Sequence, residues 1–298
     1  DTGIFFMRTS YSERKRAFFL KKFPAYSVVL FLLVLFSAIW APRLIYLSEL
    51  VRLSEDTVSS PAFRRQEVDA SALEHIRSLE RPGEYLAVYW LENGFGSEPD
   101  IDSPEEIESK RKRWERLDDW SPYLRACQAV WDDLANFPVA HCKHQDLSET
   151  FENSWMLERS YHGDRVHEGT DLMPSVNERE TFPIVSMTDG VVEQMGWLEL
   201  GGWRIGIRAP HGGYFYYAHL SSYADLEVGD TVRAGDFLGY MGDTGYSTKE
   251  GTTGKFPVHL HLGIYLNTDT GEEISVNPYP ALKYTEENKI SFKGFHTL

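Results

Sequence analysis

The chain has 298 residues and a formal charge of −15, with 45 acidic against 30 basic side chains and 42% hydrophobic residues. Such an acidic balance excludes a simple electrostatic grip on nucleic acid or on an anionic polymer. No internal repeat or basic binding module breaks the pattern, and most of the acid is expected to be solvated surface.

The first segment runs against the overall charge. Residues 1–22 carry Arg8, Arg14, Lys15, Arg16, Lys21 and Lys22 against Asp1 and Glu13, a local +4 that leaves −19 on residues 23–298. Residues 23–42 then run without a charge, about the length that crosses a bilayer. Basic residues ahead of such a run stay in the cytoplasm. The run exceeds a signal-peptide core and no small-x-small cleavage site comes after it, so an uncleaved anchor with the remainder exported is expected. Removal as a signal is the alternative, and Met7 is a candidate natural start.

Residues 43–136 are expected to form a helical region. Ser71-Ala-Leu-Glu74 and Ser103-Pro-Glu-Glu106 fit capping boxes, Ser121-Pro122 repeats a start signal, and Asn93-Gly94 ends a helix between them. Ile107, Arg111, Trp114 and Leu117 recur at helical spacing, as do Cys127, Trp131 and Leu134, so these helices have faces to bury. The region reads either as a spacer or docking module, able to hold a protein partner, or as a small bundle packed on the C-terminal half of the chain. Cys127 and Cys142 would close a loop of about fifteen residues as a disulfide, worth about 3 kcal/mol; buried free thiols are the other reading.

From Phe137 to the end, short apolar runs alternate with turn signals such as Asp189-Gly190, Gly201-Gly202, Gly229-Asp230 and Gly235-Asp236, which predicts a mainly antiparallel β domain. Trp203, Ile205 and Ile207 alternate with Arg204, Gly206 and Arg208, as in a strand with one buried face. Within this region lie His167-Glu-Gly-Thr-Asp171 and His259-Leu-His261. They supply two or three imidazoles and one carboxylate, the ligand set of an open zinc site. Residues 259 and 261 share a face of an extended segment, roughly 6–7 Å apart, so one can bind a metal while the other stands beside it. Neither string is H-E-x-x-H, so a histidine must serve as base. Tyr214-Phe-Tyr-Tyr-Ala-His219 offers one, with Phe215, Tyr217 and His219 on one face. Two histidines and a carboxylate also make the facial triad of non-haem iron oxygenases, but two further histidines suit proton transfer better. His75, His141, His144, His162, His211 and His296 show no ligand spacing, although His162 could border the groove.

Residues from about 150 to 282 resemble the LytM/lysostaphin-type peptidases of family M23. The strings that carry the resemblance are His167-Glu-Gly-Thr-Asp171, Thr188-Asp-Gly-Val-Val192, Tyr217-Ala-His-Leu220, Val228-Gly-Asp-Thr-Val-Arg-Ala-Gly-Asp236, Gly242-Asp-Thr-Gly245 and His259-Leu-His-Leu262, in family order. The resemblance implies that His167, Asp171 and His261 hold Zn2+ and that His219 and His259 are the catalytic pair. It also implies a tyrosine that steadies the oxyanion, for which Tyr161 is a candidate. The link from Gly245 to His259 is longer than the family's, which puts substrate choice in doubt.

The expectation for the whole is a mainly antiparallel β catalytic domain, 137–298, preceded by a small α-helical region, 43–136, an N-terminal transmembrane helix, 23–42, and a cytoplasmic basic segment, 1–22. By the resemblance the chain is a zinc metalloendopeptidase of the bacterial cell membrane acting outside the cytoplasm on peptidoglycan peptides, without nucleic acid. The alternative is an anchored scaffold that binds wall peptides or a protein partner, in division or sporulation, without turnover.

Overall fold

A computed structural model describes residues 5–96, 103–142, 147–159, 163–268 and 271–292. The chain divides into two units, Asp1–Arg52 and Leu53–Leu298. The first is one long helix, α1 (Phe5–Arg52). Its stretch Tyr26–Glu49 is 24 residues long, apolar enough to cross a membrane, and its Leu30, Phe31, Leu33 and Phe36 side chains stand exposed. The helix passes Pro42 rather than stopping there, and the apolar run continues through Leu44, Ile45 and Leu47.

The second unit begins with helices α2 (Pro61–Arg64), α3 (Ala70–Ile76), α4 (Pro82–Asn93), α5 (Pro104–Trp114) and α6 (Trp120–Trp131). Ser103 and Glu106 close the expected capping box on α5, and Gly94 ends α4 in the left-handed conformation, φ 61°. The start of α3 differs from expectation. Asp69, not Ser71, caps it, because its Oδ1 accepts the Ser71 and Ala72 N–H groups while Oδ2 accepts the Tyr89 hydroxyl. Helix α6 likewise starts at Trp120, one residue before Ser121-Pro122.

The strands are β1 (His141–Cys142), β2 (Glu149–Phe151), β3 (Glu158–Arg159), β4 (Arg165–Val166), β5 (Thr170–Pro174), β6 (Pro183–Val185), β7 (Gly190–Leu198), β8 (Gly202–Arg208), β9 (Tyr214–Tyr223), β10 (Thr231–Val232), β11 (Phe237–Met241), β12 (Leu260–Asn267) and β13 (Glu273–Val276). A short helix, α7 (Tyr279–Thr285), and β14 (Ser291–Phe292) complete the order. The main sheet has ten strands, ordered β10-β7-β8-β9-β12-β5-β2, with β13 on β12 and β11 bridging β9 and β6. Its pairings are antiparallel, as expected of hairpin-linked strands. The separate pair β1 and β14 is parallel.

One apolar core runs from the helices into the sheet, joining Trp90, Trp114 and Trp131 to Ile205, Phe215, Leu262 and Leu282. Trp131 is the hinge of that continuity. Its ring lies 6.3 Å from Trp90 and 5.8 Å from Tyr284 of α7, and its indole N–H donates to Gln66 Oε1 at 2.7 Å.

Cys127 is a free, wholly buried thiol on α6. Burial pushes its pKa far up, and the neighbouring Tyr123 offsets little of that rise. In a Cys142→Ser chain at pH 8, Cys127 is therefore expected to react with a disulfide reagent at least about 100-fold more slowly than after unfolding, since only an exposed thiolate attacks. Equal rates before and after denaturant would contradict this burial.

Candidate active site

Strands β8, β9 and β12 turn one face to the core and the other to a groove. On the core side Ile205, Ile207, Phe215, Tyr217, Leu262 and Ile264 are all buried. On the other side Arg204, Tyr214, Tyr216, His261 and Tyr265 line a cavity of about 660 Å³. Gly206 and Gly263 flank Tyr216 across the ladder. A Cβ at Gly206 would lie 1.9 Å from the Tyr214 hydroxyl, and one at Gly201 would lie 2.1 Å from that of Tyr216. These glycines make the room in which the rings lie along the floor. The β8 alternation holds, yet its second face is not open to solvent as expected: Arg204 and Gly206 are buried, Gly206 against the Tyr214 ring.

His219 departs from the alternation on which it was placed. Phe215 and Tyr217 do share the core face, but between Trp203 and Ile205 the β8–β9 register shifts, so that Ala218 and His219 both oppose Arg204. His219 is the inserted residue of a bulge and sits at φ 63°. Such a conformation costs a non-glycine residue about 1–3 kcal/mol and re-aims the side chain. The imidazole thereby leaves the core face, with its ring 4.6 Å from that of His259 and 6.0 Å from that of His261. Its Nδ1–H donates to the Thr244 carbonyl at 2.8 Å, since a carbonyl can only accept, and this leaves Nε2 as the free lone pair. Thr244 is itself fixed: its hydroxyl donates to the Leu220 carbonyl and accepts the Trp203 N–H. Gly202, at φ 63°, lies against it so closely that a Cβ would come within 2.3 Å of the Thr244 carbonyl.

Pairing of His261 with Asp171 across β12 and β5 assembles the second cluster. His167 Nε2 lies 2.9 Å from His261 Nδ1 and 3.0 Å from Asp171 Oδ1, and His261 Nδ1 lies 3.1 Å from the same oxygen. Ligand atoms around a tetrahedral zinc with bonds of about 2.0–2.2 Å stand about 3.3–3.6 Å apart, so an opening of a few tenths of an ångström fits the trio to an ion. These three side chains could hold a metal. His167 Nδ1–H donates to the Ser154 carbonyl at 3.0 Å, which fixes the tautomer with Nε2 facing the cluster. Arg159 Nη2 donates to Asp171 Oδ2 at 2.7 Å and keeps the other carboxylate oxygen for the histidines. Gly169, inside the first string, gives the His261 ring its place, because a Cβ there would meet it at 2.6 Å.

His259 stands just before β12, where it bridges Gly242. Its Nδ1–H donates to the Pro257 carbonyl at 2.8 Å and its Nε2 is 3.8 Å from Asp171 Oδ1. His259 thus turns Nε2 toward the trio, and His219, its Nδ1–H held by Thr244, stands beside it with its ring 6.0 Å from that of His261. Phe256 closes over them, 4.6 Å from His219 and 5.1 Å from His259, and packs 4.7 Å from Tyr246. The long link between Gly245 and His259 is tied down by an Arg179–Asp243 ion pair and by the Gly254 N–H donating to Asp243 at 2.9 Å.

Burial raises the Asp171 pKa, but hydrogen bonds from His167 and His261 outweigh it and hold the carboxyl well below the usual range. Burial lowers the pKa of His219, His259 and His261; neighbouring histidines add to this at His219, while Asp171 opposes it at His259 and His261. In the metal-free chain the unfolded state therefore takes up protons on these histidines before the folded state does. Stability is full above about pH 6.5 and falls below it, by up to about 1.4 kcal/mol per pH unit for each such group. Asp171 contributes in the other window, being stabilising above about pH 3.9 and losing that effect only as pH falls further. Urea unfolding of the metal-free protein at pH 7.5 and 5.5 measures the histidine effect; an unshifted or higher midpoint at pH 5.5 would refute it.

The structure therefore brings His167, Asp171, His219, His259 and His261 to one end of one groove. Tyr161 and His162 lie outside the described residues, as do His144 and His296. His211 pairs with Asp133 at 2.8 Å, away from the groove histidines. Arg159, Arg204, Tyr216, Tyr246 and Phe256 were missed as site residues, because each reaches the groove through strand pairing or loop folding rather than through a local motif.

The model of the LytM N-terminal domain matches residues 48–133, and that of peptidase family M23 matches residues 165–278. The L-Ala--D-Glu endopeptidase of Bacillus subtilis is 42% identical over 146 residues, which are 48% of this chain and 43% of that protein. Lysostaphin of Staphylococcus simulans is 32% identical over 120 residues, 40% of this chain and 22% of that protein. The chain thus spans less than half the length of these curated relatives. The crystal structure of a Ruminococcus gnavus protein assigned as a glycyl-glycine endopeptidase, LytM, is 49% identical with a TM-score of 0.76, covering 82% of this chain and 98% of that one. The likeness at that identity and coverage takes in the helices as well as the sheet, so that the resemblance is one of the whole second unit, and the chain is a member of peptidase family M23.

Proposed function

We propose that this chain is a zinc-dependent endopeptidase that hydrolyses amide bonds in the peptide part of peptidoglycan, held at the outer face of a bacterial membrane by its N-terminal helix. The observation that carries the reading is the meeting of three ligand atoms within 3.1 Å of one another beside two imidazoles whose Nδ1–H groups are held by backbone carbonyls, at the end of an open groove. His167 Nε2, His261 Nδ1 and Asp171 Oδ1 would hold the ion. A zinc ion so held supplies a Lewis acid for the scissile carbonyl and lowers the pKa of a water toward about 7.

The remaining steps belong to the side chains. His219 and His259 are neutral at neutral pH because burial disfavours their charged forms. Their Nε2 lone pairs can take the proton of the attacking water, and the imidazolium so formed returns it to the leaving amine. Asp171 stays ionised and offsets the charge that this creates nearby. The Tyr214, Tyr216 and Tyr265 rings give an extended peptide a flat floor, and Phe256 keeps bulk water from the histidine pair. The substrates in the relatives' names, an L-Ala--D-Glu bond and a glycyl-glycine bond, are the first to test.

The test is mass spectrometry of defined muropeptides, and of pentaglycine, after incubation with the zinc-loaded full chain in detergent and with its His259→Ala variant. New amine-ended fragments that vanish in the variant are expected and would name the bond. Intact substrates with zinc bound would favour a scaffold that holds wall peptides without turnover.

A further inference from the structure

We propose that Arg204 is a carboxylate-binding subsite in the groove, so that the substrate is a peptide bearing a free carboxylate near the bond that is cut. The proposal rests on the peptidase reading and names its substrate class.

Arg204 is only 9% exposed and lines the groove. Its Nη1 has no partner, and Nη2 makes only a long contact, 3.3 Å, to Gln194 Oε1. Among the described residues no carboxylate pairs with it. Arg208, on the same face of β8, shows what satisfaction looks like: Glu193 accepts from its Nε at 2.5 Å and Nη2 at 2.7 Å, and the Gly212 carbonyl accepts from Nη1 at 2.9 Å. A buried arginine without a paired anion is rare and costly, so a groove-lining guanidinium with bonds to spare suits an anion that arrives from outside. Its planar fork suits a carboxylate, which can take two parallel N–H bonds.

The groove also carries Glu168, Glu199 and Glu273. None of them pairs with Arg204, and each repels a second carboxylate, which restricts where an acidic side chain can lie. The ladder sets the distance. Arg204 faces the Ala218–His219 step and Ala218 faces His261, so Arg204 and His261 are two strand spacings apart, about 10 Å at the backbone. An extended peptide advances about 3.3 Å per residue. The carboxylate held by Arg204 therefore falls within about three residues of the scissile bond.

The experiment measures binding by calorimetry to the full chain in detergent, zinc-loaded and carrying His259→Ala to prevent turnover. The probes are two stem-type peptides that differ only in whether the glutamate carboxylate is free or amidated. The parent should bind the free form about tenfold more tightly, and Arg204→Gln should bring the two affinities to within about twofold, with Arg204→Lys keeping part of the preference. Gln194→Glu, which offers Arg204 an internal anion, should remove the preference without emptying the site of its arginine. Equal affinities in the parent, no binding of either peptide, or an unchanged ratio in both Arg204→Gln and Gln194→Glu would overturn the proposal. Hydrolysis by the wild-type chain is read separately. Binding preference without cleavage would sink the peptidase reading and keep the subsite; cleavage without preference would do the reverse.

Discussion

Asp171→Ala is expected to empty the metal site and abolish hydrolysis together. Asp171 is the anionic member of the trio and touches both of the others, at 3.0 and 3.1 Å. Without it two imidazoles remain, and Arg159, which now spends its Nη2 on Asp171, becomes a cation facing the place where a divalent ion should sit. Zinc per chain, measured by elemental analysis after dialysis, should drop from about one to near zero, and turnover should fall by at least about 1000-fold. His259→Ala should behave differently, keeping its zinc while losing about 100- to 10,000-fold in rate, the range for removal of a general acid or base. Arg159→Met should fall between them, weakening metal affinity by about 10- to 100-fold through the loosened carboxylate. If Asp171→Ala kept full zinc, or His259→Ala lost it, the division of the five side chains into ligands and proton carriers would be wrong.

Trp131→Ala is expected to give the largest loss of stability away from the groove. The ring is fully buried between Trp90 of α4 and Tyr284 of α7. Truncating such a side chain costs about 3–5 kcal/mol. A second penalty adds to it: Gln66, itself buried, loses the 2.7 Å bond to the indole N–H, and an orphaned buried amide costs about 1–3 kcal/mol. Chemical unfolding of the detergent-solubilised chain, followed through the β-sheet signal, should show the whole second unit destabilised rather than a separate loss of helix. A loss confined to helical signal, with the sheet transition unmoved, would show that the helices fold apart from the sheet.

Much of this architecture was legible because it depends on short-range rules. An uncharged run of twenty residues behind a basic flank marks an apolar helix whatever the rest of the chain does. Ser103 and Glu106 lie one helical turn apart and cap each other without outside help, and Asn93-Gly94 stops a helix by backbone freedom alone. Leu260, Leu262, Ile264 and Leu266 alternate with His261, Gly263 and Tyr265, so the core face of β12 could be read from period two. The four groove histidines and the aspartate were visible because each sits in a short string whose residue types are chemically distinctive.

What only the tertiary structure decided depends on contacts between residues far apart in the chain. Asp69 displaced Ser71 as a cap because Tyr89, twenty residues on, also needed its carboxylate. His219 left the face that alternation assigned to it because β8 offers one residue, Arg204, against two on β9, and pairing register cannot be read from either strand alone. Arg204 looked like a solvent-facing residue because alternation says which face a side chain takes, not how deeply that face is buried; Arg204 lies in a groove that it shares with three tyrosines from two other strands. By itself the sequence determined the elements, the core faces and the set of metal-capable side chains, since these depend on local period and residue chemistry. The aim of His219, the sharing of Asp171 between Arg159 and the histidines, and the unpaired charge of Arg204 were decided by the fold, because strand register and burial are properties of the assembled sheet.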